Sequence, residues 1–176
     1  GLKTFESSPA IARSMTYDAL GRLATVTDHR FDAPKVLHYT YDSRGNRASM
    51  RLTPDDQLTT YHWDRRGLLD RMTDPDGDAY LFQYDDLGRR TQLRYPNSVT
   101  GYYTYNDRSE VTLISWRRST GQVLSASGYT YDPRGTRTSK TYEDGGVEAY
   151  RYDPLSRLTG VTYPGGARDV EYTYDP

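Results

Sequence analysis

The sequence has no cysteine among its 176 residues, and its net charge is only -1. Without cysteine, the chain has no disulfides, no thiolate metal ligands and no cysteine nucleophile. The near-neutral charge provides no basic field of the kind that attracts nucleic acids or anionic membrane surfaces, so we expect no nucleic-acid partner. No apolar run approaches the roughly 20 residues of a membrane-spanning helix, so we expect no membrane insertion.

Large aliphatic side chains are also scarce, and the mean hydropathy is -0.90 with a hydrophobic fraction of 35%. Low hydrophobicity is typical of disorder when aromatic residues are few and the net charge is large. Neither condition holds here, because 18 tyrosines supply most of an aromatic content of 13%. Tyrosine and threonine suit a pleated, half-buried surface, so the composition favours an all-β fold.

A tetrapeptide of the form aromatic–polar–aromatic–Asp recurs along the chain, as in Tyr39-Thr40-Tyr41-Asp42. Its second aromatic residues are spaced 21 to 26 residues apart, and we call them the core aromatics. They are Tyr17, Tyr41, Trp63, Tyr84, Tyr105, Tyr131, Tyr152 and Tyr174. Such a period is the signature of a repeat architecture. We predict a single array of about eight repeats over residues 1–176, with no second domain.

Each column of the repeat has a structural interpretation. The two aromatics are two residues apart and therefore share one face of a strand. The aspartate opens an Asp-x-x-Gly turn, in which the carboxylate accepts a backbone hydrogen bond and the glycine adopts positive φ. The structural repeat positions that we predict are Tyr39, Tyr41, Asp42, Gly45, Trp63, Asp64, Gly67, Tyr84, Asp85, Gly88, Tyr131, Asp132, Gly135, Tyr152 and Asp153.

A second strand and a second turn complete the repeat. Nine positions after the core aromatic the residue is apolar, as at Val26 and Met50, and only Lys140 breaks this column. A second cluster of turn residues follows, for example Asp74-Pro75-Asp76-Gly77. Two turns in about 22 residues leave room for two short strands. One repeat is therefore predicted to be one β-hairpin.

Arginine and aliphatic residues alternate six positions after the core aromatic. The arginines are Arg47, Arg90 and Arg137, and an aliphatic residue occupies the column in each repeat between and beside them. We predict that these arginines are struts between neighbouring repeats, through cation–π contacts with tyrosine and ion pairs with aspartate. The alternative is an edge position at which side-chain length matters more than charge.

The stretch from Met15 to Val26, together with the later copies, resembles the Rhs/YD repeat. That repeat occurs in bacterial Rhs polymorphic toxins, wall-associated proteins, Tc toxin B and C components and teneurins. The resemblance implies one long, curved antiparallel sheet of tandem hairpins, a segment of a spiral β-shell that encloses a toxic C-terminal segment. It also implies secretion or a bacterial cell-surface location. We interpret the chain as part of a longer Rhs-type protein that supplies further repeats and the toxin cargo.

No pattern typical of an enzyme or a metal site emerges, and we expect no catalytic, cofactor-binding or metal-binding residues. The three histidines His29, His38 and His62 are too scattered for a metal cluster. Asp74 to Asp78 has alternating carboxylates like a calcium loop, but it lacks the glycine position and closing glutamate that an EF-hand needs. An aspartate that recurs in every repeat also suits a turn better than a catalytic acid.

Two other functions fit the same pattern. A cell-surface or carbohydrate-binding module could stack sugars on the tyrosines, and a passive spacer arm would need only the hairpins. Exposed strand edges and an uncovered aromatic face would also favour self-association. The columns favour a scaffold, because a single ligand site does not explain tyrosine at two positions of nearly every repeat.

Overall fold

The computed structural model describes residues 5–8, 11–166 and 168–175, without the side chains of residues 5–8 and 11. The predicted array over residues 1–176 therefore includes positions outside the described residues, namely 1–4, 9, 10, 167 and 176. The last of these is the proline that ends the final Tyr-x-Tyr-Asp-Pro copy.

The described residues form β-strands joined by turns, and none of them is helical. No helix in this part of the chain is therefore long and apolar enough to span a membrane. The strands are β1 (Phe5–Ser8), β2 (Ile11–Tyr17), β3 (Leu23–Asp28), β4 (Lys35–Tyr41), β5 (Arg47–Thr53), β6 (Gln57–Trp63), β7 (Leu69–Thr73), β8 (Ala79–Tyr84), β9 (Arg90–Arg94), β10 (Thr100–Tyr105), β11 (Val111–Arg117), β12 (Val123–Tyr131), β13 (Arg137–Tyr142), β14 (Val147–Tyr152), β15 (Leu158–Thr162) and β16 (Val170–Glu171).

The chain divides into two compact units, and the division falls between Leu81 and Phe82 within β8. In the first unit, neighbouring strands in the sequence pair with each other, from the pair of β1 and β2 to the pair of β7 and β8. In the second unit, the strands from β9 to β16 pair in the same way. Every one of these pairs is antiparallel. The prediction of an all-β fold built from antiparallel hairpins is confirmed.

Six hairpins that turn at a Tyr-Asp or Tyr-Asn copy contain a β-bulge next to the turn. In the hairpin of β4 and β5, Tyr41 pairs with Arg47, but Thr40 pairs with Ser49, so Ala48 has no partner. A bulge adds one residue to its strand and thereby reverses the alternation of faces. The residues that follow it lie on the face opposite to the one that simple alternation predicts. Arg47 and Met50 are three residues apart and nevertheless lie on the same face of the sheet.

The bulge separates two chemically distinct faces. Directly paired residues of antiparallel strands share a face, so Tyr39, Tyr41, Arg47 and Met50 lie together on what we call the aromatic face. The opposite face carries pairs of hydroxyl side chains, and we call it the hydroxyl face. The hydroxyls hydrogen-bond across the strands at 2.7 Å for Thr16–Thr25, 2.6 Å for Thr40–Ser49 and 2.6 Å for Thr130–Ser139.

Very few side chains are fully buried, since each unit is a single layer of strands. Among the described apolar residues only Leu93 and Val161 are less than 9% exposed, at 8% and 4%. Most strand residues are instead half-buried between neighbours on the same face. Stability in such a layer depends on contacts between adjacent strands more than on one central core.

A glycine and a tryptophan replace the usual side-chain pair between β10 and β11. Gly101 lies directly opposite Trp116, and the indole covers the glycine so closely that an added Cβ would lie 2.5 Å from a ring carbon. The same indole contacts Tyr95 and Tyr103, with ring centroids 5.6 and 6.3 Å away. The missing side chain at residue 101 is therefore what allows this aromatic cluster to form.

Substitution of Gly101 by alanine is expected to destabilise the chain by about 1–3 kcal/mol, because the added methyl group forces the indole out of its position. Gly128→Ala is the matched control, since the nearest atom to its added Cβ is 3.7 Å away. Chemical denaturation followed by tryptophan fluorescence measures both variants. Equal stability of the two variants would show that the indole can move without cost.

Candidate functional site

The Asp-x-x-Gly turns have one recurring geometry, illustrated by the turn that starts at Asp42. The Gly45 N–H donates to the Asp42 carbonyl at 3.1 Å, and the Asp42 N–H donates to the Asn46 carbonyl at 2.8 Å. Gly45 has φ of +88°, which side chains other than glycine rarely adopt. These features define a type I turn that is followed by a left-handed residue, a common three-residue hairpin loop.

The aspartate side chain organises this loop from within. One oxygen of Asp42 accepts hydrogen bonds from the N–H groups of Arg44 at 2.9 Å and Asn46 at 2.8 Å. The same pair of bonds recurs at six other turns, which begin at Asp18, Asp64, Asp85, Asn106, Asp132 and Asp153. The amide of Asn106 accepts these bonds as the carboxylates do, which explains why a repeat with asparagine retains the turn.

The predicted glycine and serine positions all take the left-handed conformation. Among the predicted site residues, Gly67, Gly88 and Gly135 have φ of +80°, +78° and +83°. Where serine replaces glycine, Ser109 and Ser156 have φ of +63° and +62°. The serines therefore accept a strained backbone that the rest of the loop imposes.

The turn hydrogen bonds lower the pKa values of Asp64 and Asp153. For Asp64 the main cause is the hydrogen bond from the Leu68 N–H, which favours the ionised carboxylate and holds its pKa below the ordinary value of 3.8. The backbone N–H of Arg157 lowers the pKa of Asp153 in the same way. These carboxylates are charged at neutral pH and act as acceptors only.

Five of the core aromatics connect their hairpin to the one before it. The Tyr41 hydroxyl donates to the carbonyl oxygen of Leu23 at 2.8 Å, and Leu23 is the sixth residue after the preceding core aromatic. The equivalent bond is made by Trp63 to Arg47, Tyr105 to Arg90, Tyr131 to Val111 and Tyr174 to Leu158, at 2.7 to 2.8 Å. Partial burial raises the pKa of Tyr105 above its usual value, so the hydroxyl remains a donor.

A second set of contacts between hairpins comes from arginines that sequence reasoning missed. Arg22, Arg89 and Arg157, each directly after the turn glycine or serine, pair with the turn aspartate of their own hairpin at 2.6 to 2.8 Å. Their guanidinium carbons also lie 4.4 to 4.8 Å from the ring centres of Tyr41, Tyr105 and Tyr174 in the next hairpin. One side chain thus supports its own turn and the next core aromatic.

Other turns place the arginine two residues after the aspartate or asparagine. Arg44 donates to the carbonyls of Asp64 and Arg65 at 3.2 Å. Arg108 likewise donates to the carbonyls of Asp132 and Pro133, at 2.8 and 2.9 Å. Both guanidinium groups therefore reach the backbone of the following turn.

A sequence signal for these arginines exists. Each of the seven turns has arginine at only one of two positions, the second or the fourth residue after the aspartate or asparagine. The second position holds Arg44, Arg66, Arg108 and Arg134, and the fourth holds Arg22, Arg89 and Arg157. Comparing two columns jointly would have revealed this, whereas each column alone looks irregular.

The predicted struts lie on the aromatic face, each over a tyrosine ring. Arg90 lies 4.6 Å from the ring centre of Tyr103 in the next hairpin. Arg47 and Arg137 instead lie over Tyr39 and Tyr129 of their own hairpins, at 4.7 and 4.5 Å. In the part of the chain that the structure describes, none of the three forms an ion pair with a carboxylate. Their role as struts remains a prediction.

The histidine and calcium-like sequences have local partners. His62 is largely exposed, and its Nδ1 lies 2.5 Å from a carboxylate oxygen of Asp70. In the Asp74–Asp78 stretch, one Asp74 oxygen accepts the N–H groups of Asp76 and Asp78 at 3.1 and 3.0 Å, as in the Asp-x-x-Gly turns. Among the described residues no group of three or more histidines and carboxylates is arranged to hold a metal ion.

Replacing Tyr41 by phenylalanine is expected to lower the free energy of unfolding by about 1 kcal/mol, because the Leu23 carbonyl loses its half-buried donor. The matched control is Tyr102→Phe, which removes the hydroxyl of a tyrosine that is 37% exposed. Urea unfolding monitored by circular dichroism gives both values. If Tyr102→Phe lowered the free energy of unfolding as much as Tyr41→Phe, the hydrogen bond to Leu23 would not be the cause of the loss.

The turn at Asp64 should become less stable in acid. Because folding lowers the pKa of Asp64, its ionised form stabilises the folded state at pH values above 3.8, and this contribution is lost as the pH falls through the lowered pKa. Asp64→Asn should retain more stability than Asp64→Ala at pH 7, since the Asn106 amide already accepts the same two bonds. Thermal melts at pH 7 and pH 3 test this, and equal melting temperatures for the two variants at pH 7 would contradict it.

The chain is similar in sequence to two long bacterial proteins. The probable deoxyribonucleases RhsA and RhsB of Dickeya dadantii (strain 3937) are 30% and 26% identical to this chain over 115 residues. These matches cover 64% of this chain and 8% of each relative, so the chain spans a small part of the proteins it resembles.

Solved structures of Tc toxins also align with the chain. The crystal structure of TcdB2-TccC3 has a TM-score of 0.49 at 15% identity, over 87% of this chain and 12% of that one. A Tc holotoxin pore of Photorhabdus luminescens has a TM-score of 0.48 at 15% identity, with the same coverage. A model of the teneurin YD-shell family matches residues 4–176. Because this match includes all the repeats described above, the chain belongs to the teneurin YD-shell family.

Proposed function

We propose that this chain is a structural segment of a shell wall in a larger Rhs-type protein, where the wall encloses a toxic C-terminal segment for delivery. The observation that carries the proposal is the self-similar contact between hairpins, in which a core aromatic donates to the carbonyl of the hairpin before it. In five places along the array, a hairpin offers the next one the same acceptor. Such a contact allows an array to be extended by further repeats.

Family membership supports the scaffold role, and the length comparison supports a longer parent chain. The relatives named as probable deoxyribonucleases are far longer than the matched region, so that activity need not lie in the repeats. In this proposal the chain is not an enzyme, and its repeat aspartates form turns. Its partners are the remaining repeats and the cargo of the parent, which is secreted or held at the cell surface.

The competing proposal of a carbohydrate-binding or adhesion module has less support. Sugar stacking needs open ring faces, but guanidinium groups lie over Tyr39, Tyr103 and Tyr129. The ring of Trp116 lies against Gly101. The tyrosines that matter most for such a site are therefore already in contact with the protein itself. Self-association through strand edges or the aromatic face remains a proposal for the isolated chain.

Limited proteolysis of the intact parent protein tests the enclosure. The segment that follows the repeats should be cleaved at least about tenfold more slowly than the same segment expressed alone, because the wall excludes the protease. Gly101→Val in the parent should speed cleavage by disrupting the wall at Trp116, whereas Gly128→Ala should leave it slow. Equal cleavage rates for the enclosed and isolated segments would refute enclosure.

A further inference from the structure

We propose that the aromatic face of the second unit binds an extended, acidic polypeptide segment through Arg90, Arg137 and Lys140. The proposal rests on the proposed function for the source of that segment, which in the parent protein would be the enclosed cargo. The chemistry of the face is what defines the ligand. It carries cations without carboxylate partners, stacked on tyrosine rings.

All three cations lie against tyrosines of the aromatic face. Arg137 pairs directly with Tyr131 across the strands and lies over the ring of Tyr129 at 4.5 Å. Arg90 lies over Tyr103 at 4.6 Å. Lys140, the residue that breaks the apolar column of the repeat, lies over Tyr142 with its Nζ at 4.2 Å.

The carboxylate opposite Lys140 forms no ion pair with it. Glu148 pairs with Lys140 across β13 and β14, but its carboxylate accepts a hydrogen bond from the Tyr142 hydroxyl. Within the described residues, Arg90, Arg137 and Lys140 form no ion pair. The strands of this face therefore carry three unpaired cations, even though the whole chain has a net charge of -1.

Three arginines of the turns in the same unit are paired with a carboxylate of their own turn. Arg89 pairs with Asp85, Arg108 with Glu110 and Arg157 with Asp153, at 2.6 to 2.9 Å. Those side chains have the structural tasks described for the turns. The cations of the aromatic face lack such partners and keep the capacity to bind an external anion.

The stacked arrangement suits a carboxylate. A guanidinium that lies over a ring keeps its N–H donors in its own plane, where a carboxylate can accept two of them. The Nε of Arg90 is buried and has no hydrogen-bond partner in the structure. Because this Nε is closed to solvent, a ligand carboxylate would bind the terminal N–H groups of Arg90.

The face also has room for a ligand beside Lys140. An open depression of about 610 Å³ is lined by Ser125, Ser127, Lys140 and Tyr142, with Glu143 and Asp144 at one end. Ser125 and Ser127 are short side chains at positions opposite Trp116 and Tyr142. The acidic turn repels carboxylates at its own end, so the ligand is placed towards the serines and Lys140.

The spacing of the cations favours an extended chain over a small anion. Arg90 lies in β9 and Arg137 in β13, four strands away, which corresponds to about 19 Å at the usual strand separation. An extended peptide covers that distance with about six residues. A segment whose acidic residues are about six positions apart matches the face, whereas a single phosphate or carboxylate reaches only one of the cations.

Fluorescence anisotropy with the 176-residue chain tests the proposal at about 50 mM salt. The probe is a labelled extended peptide with two glutamates about six positions apart, and its partner probe has glutamine in their place. The glutamate peptide should bind at least about tenfold more tightly, and added salt should weaken it. Equal binding of the two peptides, or no binding, would overturn the proposal.

Matched variants locate the site. Arg137→Gln with Lys140→Gln should weaken the glutamate peptide about tenfold. Arg94→Gln with Arg117→Gln removes the same charge from the opposite face, where both residues pair with Thr100, and should not weaken it. Arg137→Lys, which keeps the charge, should retain binding. An equal loss in both double variants would overturn the proposal, because it would indicate general electrostatics. If the first double variant fails to fold, Lys140→Gln alone is measured, and it should still weaken the glutamate peptide more than the control variant does.

A competition experiment with an oligonucleotide of the same charge tests whether the face prefers nucleic acid to an acidic peptide. The proposal predicts that the oligonucleotide competes less well than the glutamate peptide, and tighter oligonucleotide binding would overturn it. These measurements use the isolated chain, and the proteolysis test uses the intact parent. Failure of peptide binding therefore leaves the enclosure standing, and failure of enclosure leaves the peptide site standing.

Discussion

The hydrogen bonds from two backbone N–H groups to one aspartate oxygen are the constraint on which each hairpin depends. They hold the three-residue loop that ends in a left-handed residue, and the adjacent bulge follows from that loop. The bulge then brings Arg47 and Met50 to the face that carries Tyr41. Without it, the sixth and ninth residues after a core aromatic would point to opposite faces. The turn therefore determines which side chains lie on the aromatic face.

Because each unit is a single layer of strands, contacts between adjacent hairpins provide the stability that a buried core provides in other folds. Few side chains are fully buried. Tyr41, Tyr105 and Tyr174 are instead held by the arginine over the ring and by the carbonyl of the hairpin before. Both contacts are local and repeat at a fixed period. A defect in one hairpin consequently affects the adjacent hairpins most, as in other repeat proteins whose stability is a sum of nearest-neighbour terms.

The hairpins, the turn aspartates and the left-handed glycines could all be predicted from the sequence, because each depends on a few adjacent residues. The bulge could not, because the sequence gives no count of paired residues and simple alternation places Arg47 and Met50 on opposite faces. The arginines of the turns were missed for a different reason. Arg22 and Arg44 occupy different positions, yet both reach the following hairpin. Contacts across hairpins depend on register, which local patterns do not determine.

The pairing of every described strand with its sequence neighbours within each unit also determines how the protein responds to a pulling force. When the two ends of a hairpin array are drawn apart, the load falls first on the terminal strand pair, whose backbone hydrogen bonds then open one after another. Within each unit, no described strand pairs with a distant one, so distant hairpins do not share the load. The units described here would lengthen hairpin by hairpin at low force, as a zipper does. A wall of this kind can be dismantled from one end without the rest unfolding.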